Sequence, residues 1–158
     1  MTTATHERTT RTLDVPGATL TYDVRPGTSE DIPLVLIGSP MGAGGFPSLA
    51  GHFPDRTIVT YDPRNNGERS TADDPALPIT AEVQADDVHR VIEAIGGGPV
   101  DMFATSGGAI VALALVAKHP TEIRTLVAHE PPFASLVPDR EQTLAANRAI
   151  YEIGRAHV

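Results

Sequence analysis

The 158-residue sequence contains no cysteine, which excludes disulfides, thiolate metal centres and cysteine nucleophiles together. Basic residues are scarce, with 12 Lys and Arg against 20 Asp and Glu for a formal charge of -8. That balance argues against a nucleic-acid surface, which needs clustered cations to meet phosphates. Long apolar runs are missing as well. The longest nearly apolar stretch, Gly107 to Ala117, falls far short of the ~20 residues a membrane span requires. Met1 to Arg11 is Thr-rich and polar, unlike a secretory signal with its apolar centre. No internal repeat and no linker divides the chain. The expectation is one soluble, cytoplasmic domain with neither nucleic-acid nor membrane partners, of undetermined oligomeric state.

Hydrophobic residues make up 41% of the chain, enough to build a core. After a loose tail over residues 1–10, Thr12 to Val15 and Thr19 to Val24 flank a Pro16-Gly17 turn and predict a hairpin. Pro33 to Ile37 and Arg56 to Tyr61 are continuous apolar or β-branched runs, the pattern of strands buried on both faces. Between them lie a glycine-rich loop, Gly38 to Gly45, and a short helix over Phe46 to Phe53. The segment from Asp62 to Pro78 reads as a polar loop. Thr80 is a good N-cap, and Val83, Val88, Val91, Ile92 and Ile95 mark the apolar face of a helix ended by Gly96-Gly97-Gly98. Pro99 to Ala104 predicts a third buried strand and Ala109 to His119 a helix stopped by Pro120. Arg124 to His129 predicts a fourth strand, and Arg140 to Tyr151 a last helix. Strand and helix alternate with crossovers long enough for parallel pairing. The fold class is therefore α/β: a mostly parallel sheet with an N-terminal antiparallel hairpin and helices on both faces.

In such a sheet, sites form at the carboxyl ends of the strands. Ser106 lies there, in Ala104-Thr105-Ser106-Gly107-Gly108, between a buried strand and a helix. This is the pattern of a nucleophile elbow, a tight strand-to-helix turn that presents a serine hydroxyl. The turn needs tiny residues two before and two after the serine, because strand and helix approach closely. Ala104 and Gly108 satisfy it. A helix N-terminus also stabilises negative charge at this point. The competing reading is a serine that simply caps a helix start; the five-residue match does not separate the two, and the order strand, elbow, helix favours the elbow.

From Leu13 to Pro132 the chain resembles the α/β-hydrolase superfamily. Gly38-Ser39-Pro40 is similar to the family's His-Gly-x oxyanion loop. Tyr61-Asp62-Pro63-Arg64…Gly67…Ser70 is similar to its Asp-x-Arg-Gly-x-Gly-x-Ser loop, and the elbow and His119-Pro120 follow in order. Two positions depart from the pattern. Ile37 stands where many members have histidine, which removes that residue's anchoring hydrogen bond. Asn65 and Asn66 replace a glycine-rich stretch, with one residue inserted. The resemblance implies an oxyanion hole built from the Gly107 N–H and a second N–H from the glycine loop, best placed at Ser39. Pro40 cannot donate, which leaves Met41 as the alternative. It also implies an ester or related acyl substrate, with no metal and no organic cofactor.

The same resemblance sets the order Ser, then Asp or Glu, then His, with the acid usually after the seventh strand and the histidine after the eighth. Six strands are read here, so the fold is expected to stop before its last strands. His6, His52, His89 and His119 all fall away from the elbow or before it, and read as surface or capping residues. His129 ends the strand beside the elbow, where a structural role is favoured over general base. Glu130 lies where some relatives, haloalkane dehalogenases among them, place their acid, and is the candidate acid here. His157 belongs to a seven-residue end, Glu152 to Val158 (EIGRAHV), that resembles a translated sequencing adapter and is set apart as a non-native scar. Residues 11–151 would then be an incomplete hydrolase core ending at the start of a lid. Such a chain is expected to be marginally stable and nearly inactive alone, with one apolar sheet edge open. The alternatives are a non-catalytic binding protein of the same fold, an inactive truncated product, or a cofactor-free haloperoxidase or C–C bond hydrolase. A nucleotide-binding Rossmann domain fits poorly, because Gly38-Ser39-Pro40-Met41-Gly42 is not G-x-G-x-x-G.

Overall fold

The structure, a computed structural model, describes residues 7–64 and 69–155. Strands β1 (Thr9–Val15) and β2 (Ala18–Arg25) form the antiparallel hairpin. Gly17 turns it at φ 76°, a conformation in which a side chain would be strained. β1 begins inside the segment expected to be loose. Thr9 and Thr10 already pair with Val24 and Asp23, and Thr10 Oγ1 donates to Asp23 Oδ1 at 2.6 Å.

Strands β3 (Leu34–Ser39), β4 (Ile58–Asp62), β6 (Val100–Ser106) and β7 (Ile123–His129) run parallel, and β4 also pairs with β2 antiparallel. The order across the sheet is β1-β2-β4-β3-β6-β7. A seventh strand corrects the expected six: β5 (Thr71–Ala72) adds to β2 within the segment read as loop. Two residues are too few to show alternation. They pair with Thr19 and Ala18, next to Ser70, whose Oγ accepts from the Thr21 N–H at 2.8 Å and donates to the Asp62 carbonyl at 2.6 Å.

Alternation along the central strands splits the core into two layers. On one face Val35, Ile37, Val59, Tyr61, Met102 and Ala104 pack beneath helices α2 (Ala81–Ala94) and α3 (Gly107–Lys118). Thr80 caps α2 by accepting from the Val83 N–H, and Gly96 and Gly97 leave it at φ 117° and 85°. On the other face Leu34, Leu36 and Ile58 meet Phe46, Leu49 and Phe53 around a 3-10 turn (Ala43–Gly45) and α1 (Pro47–Gly51). α1 is shorter than the expected Phe46 to Phe53: Pro47 starts it and His52 caps it. α3 starts at Gly107, two residues earlier than expected, so the elbow itself is its first turn. The last helix, α4 (Arg140–Arg155), runs past the expected end at Tyr151. No described helix is long and apolar enough to cross a membrane.

Candidate active site

Ser106 is the last residue of β6 and the N-cap of α3, at φ 54° and ψ -128°. Among the described residues only Ser106 and Glu130 are non-glycine with positive φ. Backbone strain of this kind costs about 1–3 kcal/mol and persists only where neighbours impose it. The neighbours are identifiable. A Cβ on Gly108 would lie 2.7 Å from Gly38 Cα and 2.9 Å from the Ile37 carbonyl oxygen. A Cβ on Gly107 would lie 2.7 Å from the Ser39 carbonyl oxygen. Ala104, two residues before the serine, is fully buried. The helix can follow the strand this closely only because these side chains are absent or tiny.

Parallel pairing places Ser39 opposite Ser106 and Thr105 opposite His129, so the glycine loop and the elbow share one level of the carboxyl edge. Ser106 is exposed, and its Oγ has no hydrogen-bond partner among the described residues. The α3 N-terminus presents unpaired N–H groups and the positive end of the helix dipole at the same point. Negative charge developing beside Ser106 would be stabilised there.

The glycine loop is anchored by Asp62, which the sequence placed in a loop motif but gave no role. Asp62 Oδ1 accepts from the Ala43 N–H at 2.8 Å, and Asp62 Oδ2 from Arg69 Nε at 2.6 Å. Arg69 also makes a bidentate pair with Asp23, at 2.8 and 3.0 Å. Burial pushes the Asp23 carboxyl up, but the hydrogen bonds from Arg69 and Thr10 outweigh it and hold it below the usual range. A Cβ on Gly42 would collide with Asp62 Oδ1, the atom that holds the Ala43 N–H. Ile37, in place of the family's histidine, is fully buried core. The bond that holds this loop in place comes from Asp62, at the end of β4. The Asp62…Ser70 motif was legible; the atom it holds was not.

His129 is exposed and otherwise engaged: its Nδ1 lies 3.1 Å from Thr105 Oγ1, and its ring stacks on Phe103 at 5.9 Å. Glu130 follows it on the same edge, exposed, at φ 49°. His52 is exposed after α1, and His89 and His119 meet each other at the opposite end of α3. With Glu122 they form the group of described residues whose spacing suits a metal ion. His6, Asn65, Asn66, Gly67 and His157 lie outside the described residues.

A sequence profile of the alpha/beta hydrolase fold matches residues 34–149. The chain belongs to the α/β-hydrolase fold family. It is 34% identical over 131 residues to the uncharacterized hydrolase YraK of Bacillus subtilis, covering 82% of this chain and 47% of that protein. This α/β-hydrolase chain thus spans about half the length of the curated relative it matches. Among solved structures it resembles the N-acyl homoserine lactonase AidH in complex with N-butanoyl homoserine. The TM-score is 0.67 at 22% identity, over 82% of this chain and 48% of that one. It also resembles the epoxide hydrolase CorEH, with a TM-score of 0.65 at 20% identity over 76% and 41% of the two chains. At these identities the likeness is one of fold.

Proposed function

We propose that this α/β-hydrolase chain carries the nucleophile and oxyanion hole of a serine hydrolase acting on an ester or related small acyl substrate. The observation that carries the reading is Ser106, exposed and held at positive φ where a strand, a helix N-terminus and the glycine loop converge. In this mechanism Ser106 Oγ attacks the acyl carbonyl carbon as a base takes its proton. The resulting oxyanion accepts hydrogen bonds from the Gly107 and Ser39 N–H groups. Collapse expels the alcohol, which takes the proton back from the base, and water then releases the acid from Ser106. Glu130, at the same edge and in strained backbone, orients the base. The base is a histidine supplied by the half of the whole protein that this chain does not span. A serine at the elbow disfavours epoxide-opening or dehalogenating routes through an aspartyl ester.

The test is labelling of the whole protein with a fluorophosphonate probe, followed by peptide mapping. A single adduct on Ser106, absent in Ser106→Ala, is the expected result. No labelling of a folded protein would overturn the reading and favour a binding protein of the same fold. The 158-residue chain alone should turn over p-nitrophenyl acetate no faster than its Ser106→Ala variant.

A further inference from the structure

At the end of α3 remote from Ser106, side chains from three segments converge. His89 comes from α2, His119 follows α3, and Glu122 leads into β7. The two imidazoles stack with centroids 4.0 Å apart and planes 7° from parallel. Glu122 Oε1 lies 2.6 Å from His89 Nδ1 and 3.7 Å from His119 Nδ1. We propose that His89, His119 and Glu122 form a site for a divalent transition-metal ion, zinc being the best match, that clamps α2 to the far end of the elbow helix.

Two imidazole nitrogens and a carboxylate oxygen are a donor set for zinc and its borderline neighbours, rather than for calcium or magnesium. Tetrahedral zinc with bonds near 2.0–2.1 Å sets its ligand atoms about 3.3 Å apart. The separations of 2.6 and 3.7 Å bracket that value, and all the candidate ligand atoms lie within 4.8 Å of one another. Binding the ion would turn the two rings out of their parallel stack, because each imidazole nitrogen donates in its own ring plane, and would draw the three ligand atoms together around it.

Two further observations point to a ligand. Glu122 Oε2 is buried and has no hydrogen-bond partner among the described residues, an arrangement that buried carboxylates rarely tolerate. A metal-bound carboxylate would share its charge with the ion and remove that cost. On the other side of the His89 ring, Glu93 Oε2 stands 3.6 Å from Nε2, beyond hydrogen-bond length but near enough for a small side-chain movement to make it the outer carboxylate that orients a metal-bound imidazole. Without metal, the proton between His89 Nδ1 and Glu122 holds the pair together. The ion takes that proton's place and the proton leaves to solvent. The nearby cation, Lys118, is engaged by Asp86 at 2.7 Å. His89, His119 and Glu122 retain 22%, 31% and 17% side-chain exposure, so ion and water can enter.

The 12 residues of α3 put this group about 18 Å from the elbow, too far to touch a reacting atom. The ion is structural: it joins α2, α3 and the start of β7.

Competition of the purified chain against a chromophoric chelator for Zn²⁺, and titration with Co²⁺ followed by its visible absorption, test the site. The expected result is one ion per folded chain, with a raised melting temperature and affinity that falls on acidification as protons compete for imidazole. Glu93→Gln should weaken binding about 10-fold; His119→Ala and Glu122→Gln should weaken it more, and His52→Ala should leave it unchanged. Glu93 is exposed, so its variant keeps the test independent of folding. Failure to bind stoichiometrically would overturn the proposal. So would binding that survives both His119→Ala and Glu122→Gln, or binding as tight in urea as in buffer.

Discussion

Ser106 occupies backbone geometry that glycine adopts freely and serine does not. The close packing of Gly108 on Gly38 and of Gly107 on Ser39 holds it there, since neither contact leaves space for the chain to relax. The strain is therefore independent of the hydroxyl. Ser106→Gly should raise the stability of the chain by about 1 kcal/mol, because it removes the Cβ that opposes positive φ. The gain is read as a higher urea midpoint at unchanged slope. A midpoint equal to or below that of the native chain would show that the conformation is relaxed, and would remove the structural argument for an elbow. The tight strand-to-helix turn at Ser106 was legible in the sequence, since the small residues at 104 and 108 answer a steric demand that acts over two positions and a strand and a helix flank them in order. The role of Asp62 was out of reach for the opposite reason: its bond to the Ala43 N–H spans 19 positions and depends on how β4 registers with β3.

At the level of elements, one buried ion pair joins pieces that the sheet does not. Arg64, just past β4, makes two bonds to Asp87 on α2, at 2.7 and 2.5 Å, and a third to the Pro16 carbonyl at the hairpin turn. The Asp87 side chain is fully buried, and its bonds hold the Arg64 guanidinium above its already high ordinary pKa. Asp87→Ala leaves a buried cation unpaired and should cost about 3–5 kcal/mol in urea denaturation. The double variant Arg64→Met/Asp87→Leu should recover most of that loss, and a single variant costing no more than the double would refute the account. A second clamp sits at the amino end of β6. The Arg124 guanidinium, with Arg56 beside it, holds the Asp101 carboxyl down to about 2. A carboxyl whose pKa is lowered by folding stabilises the native state above its unfolded value and loses that contribution on acidification. Stability should therefore fall from about pH 4 to pH 2, more steeply in the native chain than in Asp101→Asn. Equal slopes would sink this account. The strands, their parallel pairing and the capped helix α2 were legible because apolar periodicity reports burial. β5 was not, because two residues show no periodicity, and its place depends on backbone pairing with β2 and on the bonds of Thr21 to Arg69 and Ser70 just before it.

Across the whole molecule the two sheet faces and the two sheet edges are unequal. α2 and α3 cover one face, while α1 covers only part of the other. There Leu34, Leu36, Phe53, Phe103 and Val127 line a groove of about 200 Å³. The edges differ in chemistry. β1 is protected by polar residues, Thr9 to Thr12 and Asp14, whereas β7 has no further strand beside it among the described residues and carries Val127, which is 52% exposed. An unpaired edge next to apolar surface is a template for strand addition, and a charged residue on it is an effective block. The 158-residue chain should therefore self-associate as its concentration rises, and Val127→Lys should shift it toward monomer in sedimentation velocity. Because Val127 is half exposed, the substitution should leave the urea midpoint within about 0.5 kcal/mol of the native value. That separates a change in association from a change in folding. A chain that stays monomeric at every concentration, or a Val127→Lys variant that associates as strongly, would mean that the β7 edge is already protected, and the groove beside it would then need a different explanation from exposed sheet.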